Sequence, residues 1–269
     1  QLDSYNQGVT VKHLGISVYP QKASLETNLD YIEKAASLGF TKLFVALLGI
    51  EPTKEAILKE YAPITRRAKE LGYDISCDVW PDILYKVCGA GVFGNYDLRF
   101  FKEIGINTLR LDMGFSEIEE AFFSKNQAGI NLELNMSFPI DHIGGLLKSG
   151  GDKDRIAGCH NYYPHRYTGL SLSFFEECND IWKKHQLNTS AFISTQSSSK
   201  FGPWPICDGL PTLEMHRDLP IAVQLKHYVA MDRIDDILIG DCFASDDELV
   251  ALSKIDKKVL HFKAHWVDG

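Results

Sequence analysis

The sequence predicts an α/β protein of the (β/α)8 TIM-barrel class. Eight short strand patterns alternate with helical patterns along the chain, as consecutive strand–helix units require. The length of 269 residues is close to the ~250 residues of such a barrel. An open doubly wound sheet is the main alternative, but it calls for a glycine-rich turn after the first strand. This chain has VYPQKAS there instead, which favours the barrel.

The strand candidates are apolar or alternating runs bounded by turn residues. In chain order they are 12–19, 42–48, 74–80, 106–113, 130–137, 158–163, 189–195 and 235–242. The most regular helical patterns are 25–38, 53–71, 95–104, 171–185 and 245–254. Glycine stands where a helix should give way to a strand, at Gly39, Gly72, Gly105 and Gly129. We expect an N-terminal extension over residues 1–10 and one barrel domain over residues 11–269.

Composition limits the partners of the protein. The net charge of −8 and the pI of about 5.6 argue against a general nucleic-acid-binding surface. No run of 18 apolar residues is present, so we expect no membrane span. The six cysteines form no C-x-x-C pair, and we expect reduced thiols, no metal and no other cofactor. The polar start QLDSYNQGVT is unlike a secretory signal, and we expect a cytoplasmic protein.

Three neighbouring strands carry polar side chains at every second position. In the fifth strand, Leu132 and Leu134 alternate with Glu133 and Asn135, a period of two. The apolar set should face the surrounding helices, and the polar set should point into the barrel. The third and fourth strands alternate in the same way. The carboxylates on these polar faces that fall near strand ends are Asp78, Asp112 and Glu133.

Ionisable groups inside a packed barrel are costly unless they are paired, and the C-terminal mouth is where they cost least. Active sites of such barrels lie at that mouth. We therefore expect Asp78, Asp112 and Glu133 to be catalytic. The alternative is that they form structural ion pairs with Arg110. Glycoside hydrolases usually act with two carboxylates on opposite sides of the sugar. Their separation, ~5 Å or ~6.5–9.5 Å, sets the stereochemical outcome. Which one would be the acid is left open.

Aromatic, amide and charged side chains crowd the same end of the predicted barrel. Tyrosines of the polar loop HNYYPHRYTG suit stacking on sugar rings, although core packing accounts for some of the aromatics. The segment GLPTLEMHRDLP could belong to the site or be a loop pinned by internal ion pairs. The alternation of the last strand places Asp241 with the outward residues, unless a bulge intervenes. The expected substrate-binding residues are Ser17, Tyr19, Asn135, Asn161, Tyr162, Tyr163, His165, Arg166, Glu214, His216, Arg217 and Asp241.

A phosphate site is expected in the later loops. Barrels often bind phosphate in the loops that follow strands seven and eight. The segment QSSSKFG follows the seventh strand and offers hydroxyls, a positive charge and backbone N–H groups. An ordinary flexible Ser-rich loop is the alternative. The expected phosphate-binding residues are Arg166, Ser198, Lys200 and Gly202.

Several strings together resemble the bacterial 6-phospho-N-acetylmuramidase family. They are LGISVYP, RLDMGFS, LELNMS, CHNYYPHRYTGLS, GLPTLEMHRDLP and IGDCFAS, which extend from the first strand to the last. The resemblance implies a TIM barrel and a cytosolic glycosidase of cell-wall recycling. It implies hydrolysis of the β-1,4 bond between 6-phospho-N-acetylmuramic acid and N-acetylglucosamine. Members of this family carry a smaller β-rich domain after the barrel, and we expect that domain to be absent from this chain.

Two other functions stay open at this point. One is another phosphosugar enzyme, an aldolase or epimerase, although the inward strand positions offer no Lys near a C-terminus for a Schiff base. The other is a non-catalytic sugar-binding protein, which would not need paired acids. For a glycosidase, the 2-acetamido group of the substrate could itself attack the anomeric carbon. The expected ligand is a phosphorylated amino-sugar disaccharide, and the oligomeric state is open.

Overall fold

The eight strands close into a parallel barrel in which each strand pairs with the next along the chain. The computed structural model describes residues 11–89, 96–112, 114–205 and 207–259. Pairing of the first strand with the last, with Ile16 opposite Ile239, completes the barrel. The predicted TIM-barrel class is confirmed. The strands are β1 (His13–Val18), β2 (Lys42–Ala46), β3 (Asp74–Val79), β4 (Thr108–Leu111), β5 (Asn131–Asn135), β6 (Ile156–Cys159), β7 (Asn188–Ile193) and β8 (Asp236–Ile239).

The helices surround this barrel. Within the part of the chain that the structure describes, none combines the length and the hydropathy needed to cross a bilayer. The expected extension over residues 1–10 lies outside the described residues, as do residues 260–269. The helices are α1 (Leu25–Ser37), α2 (Lys54–Glu60), α3 (Ala62–Glu70), α4 (Pro81–Cys88), α5 (Arg99–Glu103), α6 (Glu117–Ser124), α7 (His142–Lys148), α8 (Leu172–Lys184), α9 (Ile221–Met231) and α10 (Asp246–Ser253).

The chain-reversal signals act as the sequence indicates. Gly39, Gly72, Gly105 and Gly129 have φ between 72° and 98°, the left-handed region that glycine adopts without strain. The predicted helix over 53–71 is instead two helices, α2 and α3. Pro63 lies in the first turn of α3 and has no N–H with which to continue the hydrogen-bond ladder of α2.

The sixth strand differs most from its prediction. It was expected over 158–163, but β6 begins two residues earlier and ends at Cys159. The N–H of His160 still donates to the carbonyl of Ser190 in β7 at 2.9 Å, and from Asn161 onwards the backbone bonds to loops. The N–H of Asn161 donates to Ser137 Oγ at 2.9 Å, and the N–H of Tyr163 donates to the carbonyl of Pro211 at 3.2 Å. The loop that follows β6 is therefore tied across the C-terminal mouth of the barrel.

The barrel interior has an apolar side and a charged side. The rings of Phe44 on β2 and Phe192 on β7 meet edge to face at 5.4 Å between centroids. On β3, β4 and β5 the inward side chains include the register partners Asp78, Arg110 and Glu133. The alternating polar faces of these three strands thus point inward, as predicted.

The outer face of β6 is closely fitted to α8. Gly158 lies beneath the indole of Trp182, and a Cβ added there would come within 2.6 Å of that ring. The Cβ fits only if the backbone of β6 or the buried indole moves, and both are packed in place. We therefore predict that Gly158→Ala lowers the free energy of unfolding by about 1–3 kcal/mol. Urea denaturation measures the change. Glu177→Ala, on the exposed face of α8, should change it by less than about 0.5 kcal/mol, and equal effects of the two variants would contradict this packing.

Candidate active site

A buried arginine on β4 organises the charged side of the barrel. Arg110 Nη1 lies 3.3 Å from Asp78 Oδ1 and 3.2 Å from Asp112 Oδ1. Its Nε lies 3.9 Å from Glu133 Oε1, and its Nη2 donates to Asn161 Oδ1. Strand register accounts for the cluster, because Asp78 and Glu133 are the direct partners of Arg110 on β3 and β5. One guanidinium therefore contacts or faces carboxylates from three strands.

Burial and charge oppose each other in this cluster. Burial disfavours a charged Arg110, but the carboxylate of Asp78 and its neighbours raise the pKa of the guanidinium, which stays charged. Burial raises the pKa of Asp78 above its usual value, and Arg110 opposes that rise while Asp112 adds to it. Burial likewise raises the pKa of Glu133. Asp78 is therefore suited to hold a proton that a solvent-exposed aspartic acid would release.

Asp78 and Asp112 open onto a cavity of about 240 Å³ at the C-terminal end of the barrel, which we call the mouth cavity. Their side chains keep 14% and 24% of their exposure, enough for a ligand to touch them. Aromatic and apolar side chains form the remaining wall, and Trp80 and Trp204 are more than two fifths exposed. The residues that line the mouth cavity include Phe44, Trp80, Asn161, Tyr162, Phe192 and Trp204.

Glu133 faces the other end of the barrel. It accepts a hydrogen bond from Ser76 Oγ at 3.0 Å and lines a separate cavity of about 190 Å³ with Lys42 and Asp74, the first residues of β2 and β3. Of the three carboxylates expected at the mouth, Asp78 and Asp112 lie there and Glu133 does not. The strands tilt, so residues that are register partners on successive strands lie at different heights along the barrel axis.

Two further depressions adjoin the mouth cavity. The first, the β1–β2 cavity, has a volume of about 430 Å³ and is lined by Tyr19, Lys22, Leu48 and Trp204 among others. The second, the β4–β5 groove, has a volume of about 290 Å³. It is lined by residues that include Asp112, Phe115, Glu120, Asn135, Phe138 and His142.

Several predicted binding residues lie at the mouth. Asn135 Nδ2 donates to Asp112 Oδ1 at 2.9 Å, while its Oδ1 accepts from the N–H of Ser137 at 2.8 Å. Asn161 and Tyr162 line the mouth cavity, and Tyr19 lines the β1–β2 cavity. The ring of Tyr162 meets Trp204 edge to face at 5.7 Å.

Other predicted residues lie away from those walls. Ser17 is fully buried inside the barrel, and its hydroxyl finds no partner among the described residues. The carbonyl of Tyr163 accepts from Arg217 Nη1 at 2.9 Å. His165 is exposed, and its carbonyl accepts from Thr168 Oγ1 at 2.6 Å.

The segment that contains Glu214 is a pinned loop. Glu214 accepts from Arg217 Nε at 2.8 Å and Nη2 at 2.6 Å, and from the N–H groups of Tyr167 and Gly169, each at 2.8 Å. The hydrogen bonds from Arg217 lower the pKa of Glu214 to about 2. His216 is buried and its Nε2 lies 2.7 Å from His227 Nδ1. Of the two alternatives for this segment, part of the site or a loop held by internal ion pairs, the structure supports the loop held by ion pairs.

The expected phosphate residues do not converge. Arg166 makes a two-pronged pair with Asp218, at 2.5 Å and 3.0 Å. Lys200 Nζ donates to the carbonyl of Thr195 at 3.2 Å. Ser198 is exposed, and Gly202 is buried against Leu210. None of the four lines the mouth cavity, the β1–β2 cavity or the β4–β5 groove.

Asp241 is buried behind the mouth, in agreement with its outward alternation. Its Oδ2 accepts from Ser194 Oγ at 2.7 Å, and its Oδ1 accepts from the N–H of Thr195 at 2.8 Å. Burial raises its pKa to about 6, although both hydrogen bonds act in the opposite direction. Asp241 therefore holds the ends of β7 and β8 together and does not line the mouth cavity.

Sequence reasoning missed Lys22, Glu120 and His142, which line the two flanking depressions. The N-cap and capping box of Ser116 and Glu119 would have located α6 and with it Glu120. No comparable pattern marks Lys22. The described part of the chain contains no group of three His, Cys, Asp or Glu side chains placed to hold a metal ion.

Comparisons with known proteins agree with this architecture. The family described as "6-phospho-N-acetylmuramidase, N-terminal" matches residues 14–254. An uncharacterised Bacillus cereus protein of known structure is 38% identical with a TM-score of 0.83, covering 96% of this chain and 69% of that one. A conserved Enterococcus faecalis protein of unknown function is 27% identical with a TM-score of 0.75, covering 88% and 63%. The chain therefore spans about two thirds of the length of these relatives.

More distant structures share the fold alone. The 7,8-dihydropteroate synthase of Vibrio fischeri is 13% identical with a TM-score of 0.53, and the match covers 91% of this chain and 92% of that one. No match was found among curated protein sequences. The comparisons thus fix the fold and the family, while the site residues rest on the geometry above.

Asp241 gives the folded protein a measurable pH dependence. Its pKa of about 6 exceeds the value of about 3.9 in an unfolded chain, so between these pH values the folded state binds more protons. Stability must therefore fall as the pH rises through this window. The quantity to follow is the unfolding free energy of the wild type minus that of Asp241→Asn, which has no titrating group at position 241. We predict that this difference falls by up to about 3 kcal/mol as the pH rises from about 4 to about 6. Urea titrations at several pH values measure it, and a constant difference would contradict the assignment.

Proposed function

Because this chain belongs to the 6-phospho-N-acetylmuramidase family, we propose that it is a glycoside hydrolase acting on a 6-phospho-N-acetylmuramide. The bond cleaved is the β-1,4 bond to N-acetylglucosamine, and the setting is cytoplasmic recycling of cell-wall fragments. The observation that carries the proposal is the pair of carboxylates, Asp78 and Asp112, that line the mouth cavity on either side of Arg110.

The spacing of the two carboxylates suits this chemistry. Asp78 Oδ1 and Asp112 Oδ1 both contact Arg110 Nη1, at 3.3 Å and 3.2 Å. Two atoms that share one such neighbour lie at most about 6.5 Å apart, which admits the short spacing of retaining glycosidases, about 5–5.5 Å. We propose a reaction with retention of configuration, because one guanidinium nitrogen holds both carboxyl groups.

Asp78 is the proposed general acid. Burial raises its pKa, and the neighbouring Asp112 raises it further, so that the carboxyl group can keep its proton until the leaving oxygen takes it. Its Oδ1 faces Arg110 Nη1, which leaves Oδ2 for the glycosidic oxygen.

Asp112 is the proposed partner on the anomeric side. Arg110 Nη1 and Asn135 Nδ2 both contact its Oδ1, which fixes the carboxylate and leaves Oδ2 for the substrate. Oδ2 would either attack the anomeric carbon or accept the N–H of the 2-acetamido group while that group attacks. Both routes retain configuration, and the second forms no covalent intermediate with the enzyme.

Glu133 was expected to be catalytic, and we now propose that it positions Arg110 instead. It faces the guanidinium from the far side, at 3.9 Å from Nε, and its contact with Ser76 keeps it there. A negative charge behind Arg110 favours the guanidinium orientation that holds both aspartates.

Two substrates test the proposed function. We expect the chain to cleave 6-phospho-N-acetylmuramyl-N-acetylglucosamine and to leave its unphosphorylated counterpart intact. Proton NMR of the first product formed should show the β-anomer, because configuration is retained. Absence of cleavage of either compound by folded protein would contradict the proposal, and would leave a sugar-binding role as the better account.

Substitutions separate the three acids. We predict that Asp78→Asn and Asp112→Asn each lower kcat by about a thousandfold, because a positioned acid or base contributes roughly 10²–10⁴-fold. Glu133→Gln should lower kcat about tenfold. It should affect the roles of Asp78 and Asp112 to the same extent, because Glu133 acts only by positioning Arg110. Asp180→Asn, a matched change of an exposed residue on α8, should leave kcat within twofold. An Asp78→Asn enzyme with near-normal kcat would remove Asp78 from the chemistry.

A further inference from the structure

The mouth cavity shares wall residues with both flanking depressions. Leu48 and Trp204 line the mouth cavity and the β1–β2 cavity alike. Asp112 lines the mouth cavity and the β4–β5 groove. Asp112 thus lies where the mouth cavity meets the β4–β5 groove, whereas Asp78 lines the mouth cavity alone. A two-ring substrate cut beside Asp112 has room for one of its rings in the β4–β5 groove.

The β4–β5 groove has a negative balance of charge. Glu120 lines it and pairs with His142 Nε2, and Glu117 Oε1 lies 3.6 Å from His142 Nδ1. The hydrogen bond that His142 Nε2 donates to Glu120 raises the pKa of His142, which favours its protonated form. Even with His142 protonated and Arg110 beside Asp112, the three carboxylates of Asp112, Glu117 and Glu120 outnumber the two cations. A phosphate dianion is repelled from this groove.

The same groove offers a surface for an uncharged sugar ring. Phe138 is half exposed there, and Phe115 lines the groove beside it. Exposed aromatic rings with nearby polar atoms suit a ligand that has apolar C–H faces and hydroxyl edges. Asn135 and the pair of Glu120 and His142 supply the polar atoms.

The opposite depression differs in charge. Lys22 lines the β1–β2 cavity together with Gln21, Tyr19 and Tyr61. No carboxylate is among its lining residues in the described part of the chain, and none there forms an ion pair with Lys22. Gln21 Nε2 donates to Glu60 Oε2 at 2.9 Å, which fixes the amide beside the cavity. An ammonium group without a partner suits a phosphate.

We propose that the disaccharide lies across the barrel mouth in one direction, with its leaving N-acetylglucosamine ring in the β4–β5 groove and its 6-phosphate at Lys22. This inference rests on the proposed function and adds the orientation of the substrate. The phosphate contact thus comes from the loop after β1 rather than from the loops after β6 and β7, where Arg166 and Lys200 have partners of their own.

The phosphate end is tested with lysine variants. Lys22→Gln should lower kcat/KM for the phosphorylated disaccharide about 10- to 100-fold, mainly through KM, as expected for loss of a charge-assisted contact. Lys22→Arg should restore most of it. Lys59→Gln, a matched change of an exposed lysine on α2, should stay within twofold of the wild type. A normal KM for Lys22→Gln together with a raised KM for Lys200→Gln would overturn the orientation.

The leaving-group end is tested by changing the leaving group. Phe138→Ala should lower kcat/KM for the phosphorylated disaccharide about tenfold, because one stacking ring is lost. For methyl 6-phospho-N-acetylmuramide, whose leaving group is too small to contact a ring in the groove, the same variant should lose less than threefold. Phe122→Ala, at an exposed ring on α6 that lies outside the groove lining, is the control. Equal losses on both substrates would overturn the assignment of the groove.

Failure of this inference is distinguishable from failure of the proposed function. If the wild type cleaves neither phosphorylated glycoside, the proposed function is wrong. If the wild type cleaves both, and the Lys22 and Phe138 variants behave like their controls, the activity stands and the orientation is wrong.

Discussion

The buried guanidinium of Arg110 is the interaction on which the rest of the site depends. A charge of this kind inside a barrel is destabilising unless carboxylates and hydrogen-bond acceptors surround it. Asp78, Asp112 and Asn161 contact it directly, and Glu133 faces it from behind. Strands β3, β4 and β5 therefore share polar inward faces, which parallel strands otherwise avoid. Removal of Arg110 would leave three acids without their common counter-ion.

The division of the interior follows from this requirement. Phe44 and Phe192 fill the opposite side of the barrel with apolar surface, so the charged side chains meet water mainly at the two barrel ends. At the C-terminal end this places a carboxyl group whose pKa is raised by burial, Asp78, beside one fixed by two donors, Asp112. The same arrangement that offsets the cost of a buried charge yields two carboxylates with different environments, which is what acid-assisted cleavage of a glycosidic bond requires.

The eight strand–helix units were sufficient to predict the fold class. The alternation of β3 to β5 was sufficient to predict the inward direction of Asp78, Arg110 and Glu133, because side-chain direction follows from a period of two. It was not sufficient to predict height along the barrel axis, which depends on strand tilt, and so Glu133 was placed at the wrong end. The side-chain pairs between loops could not be predicted for a related reason. The pairing of Arg166 with Asp218 joins two loops that are far apart in sequence, and only the tertiary structure brings them together.

The most direct test is a crystal structure of the Asp78→Asn variant with the intact phosphorylated disaccharide bound. The account predicts the glycosidic oxygen within hydrogen-bonding distance of residue 78 and the anomeric carbon beside Asp112. A disaccharide bound elsewhere, for example over the loops that follow β6 and β7, with both aspartates beyond its reach, would contradict it.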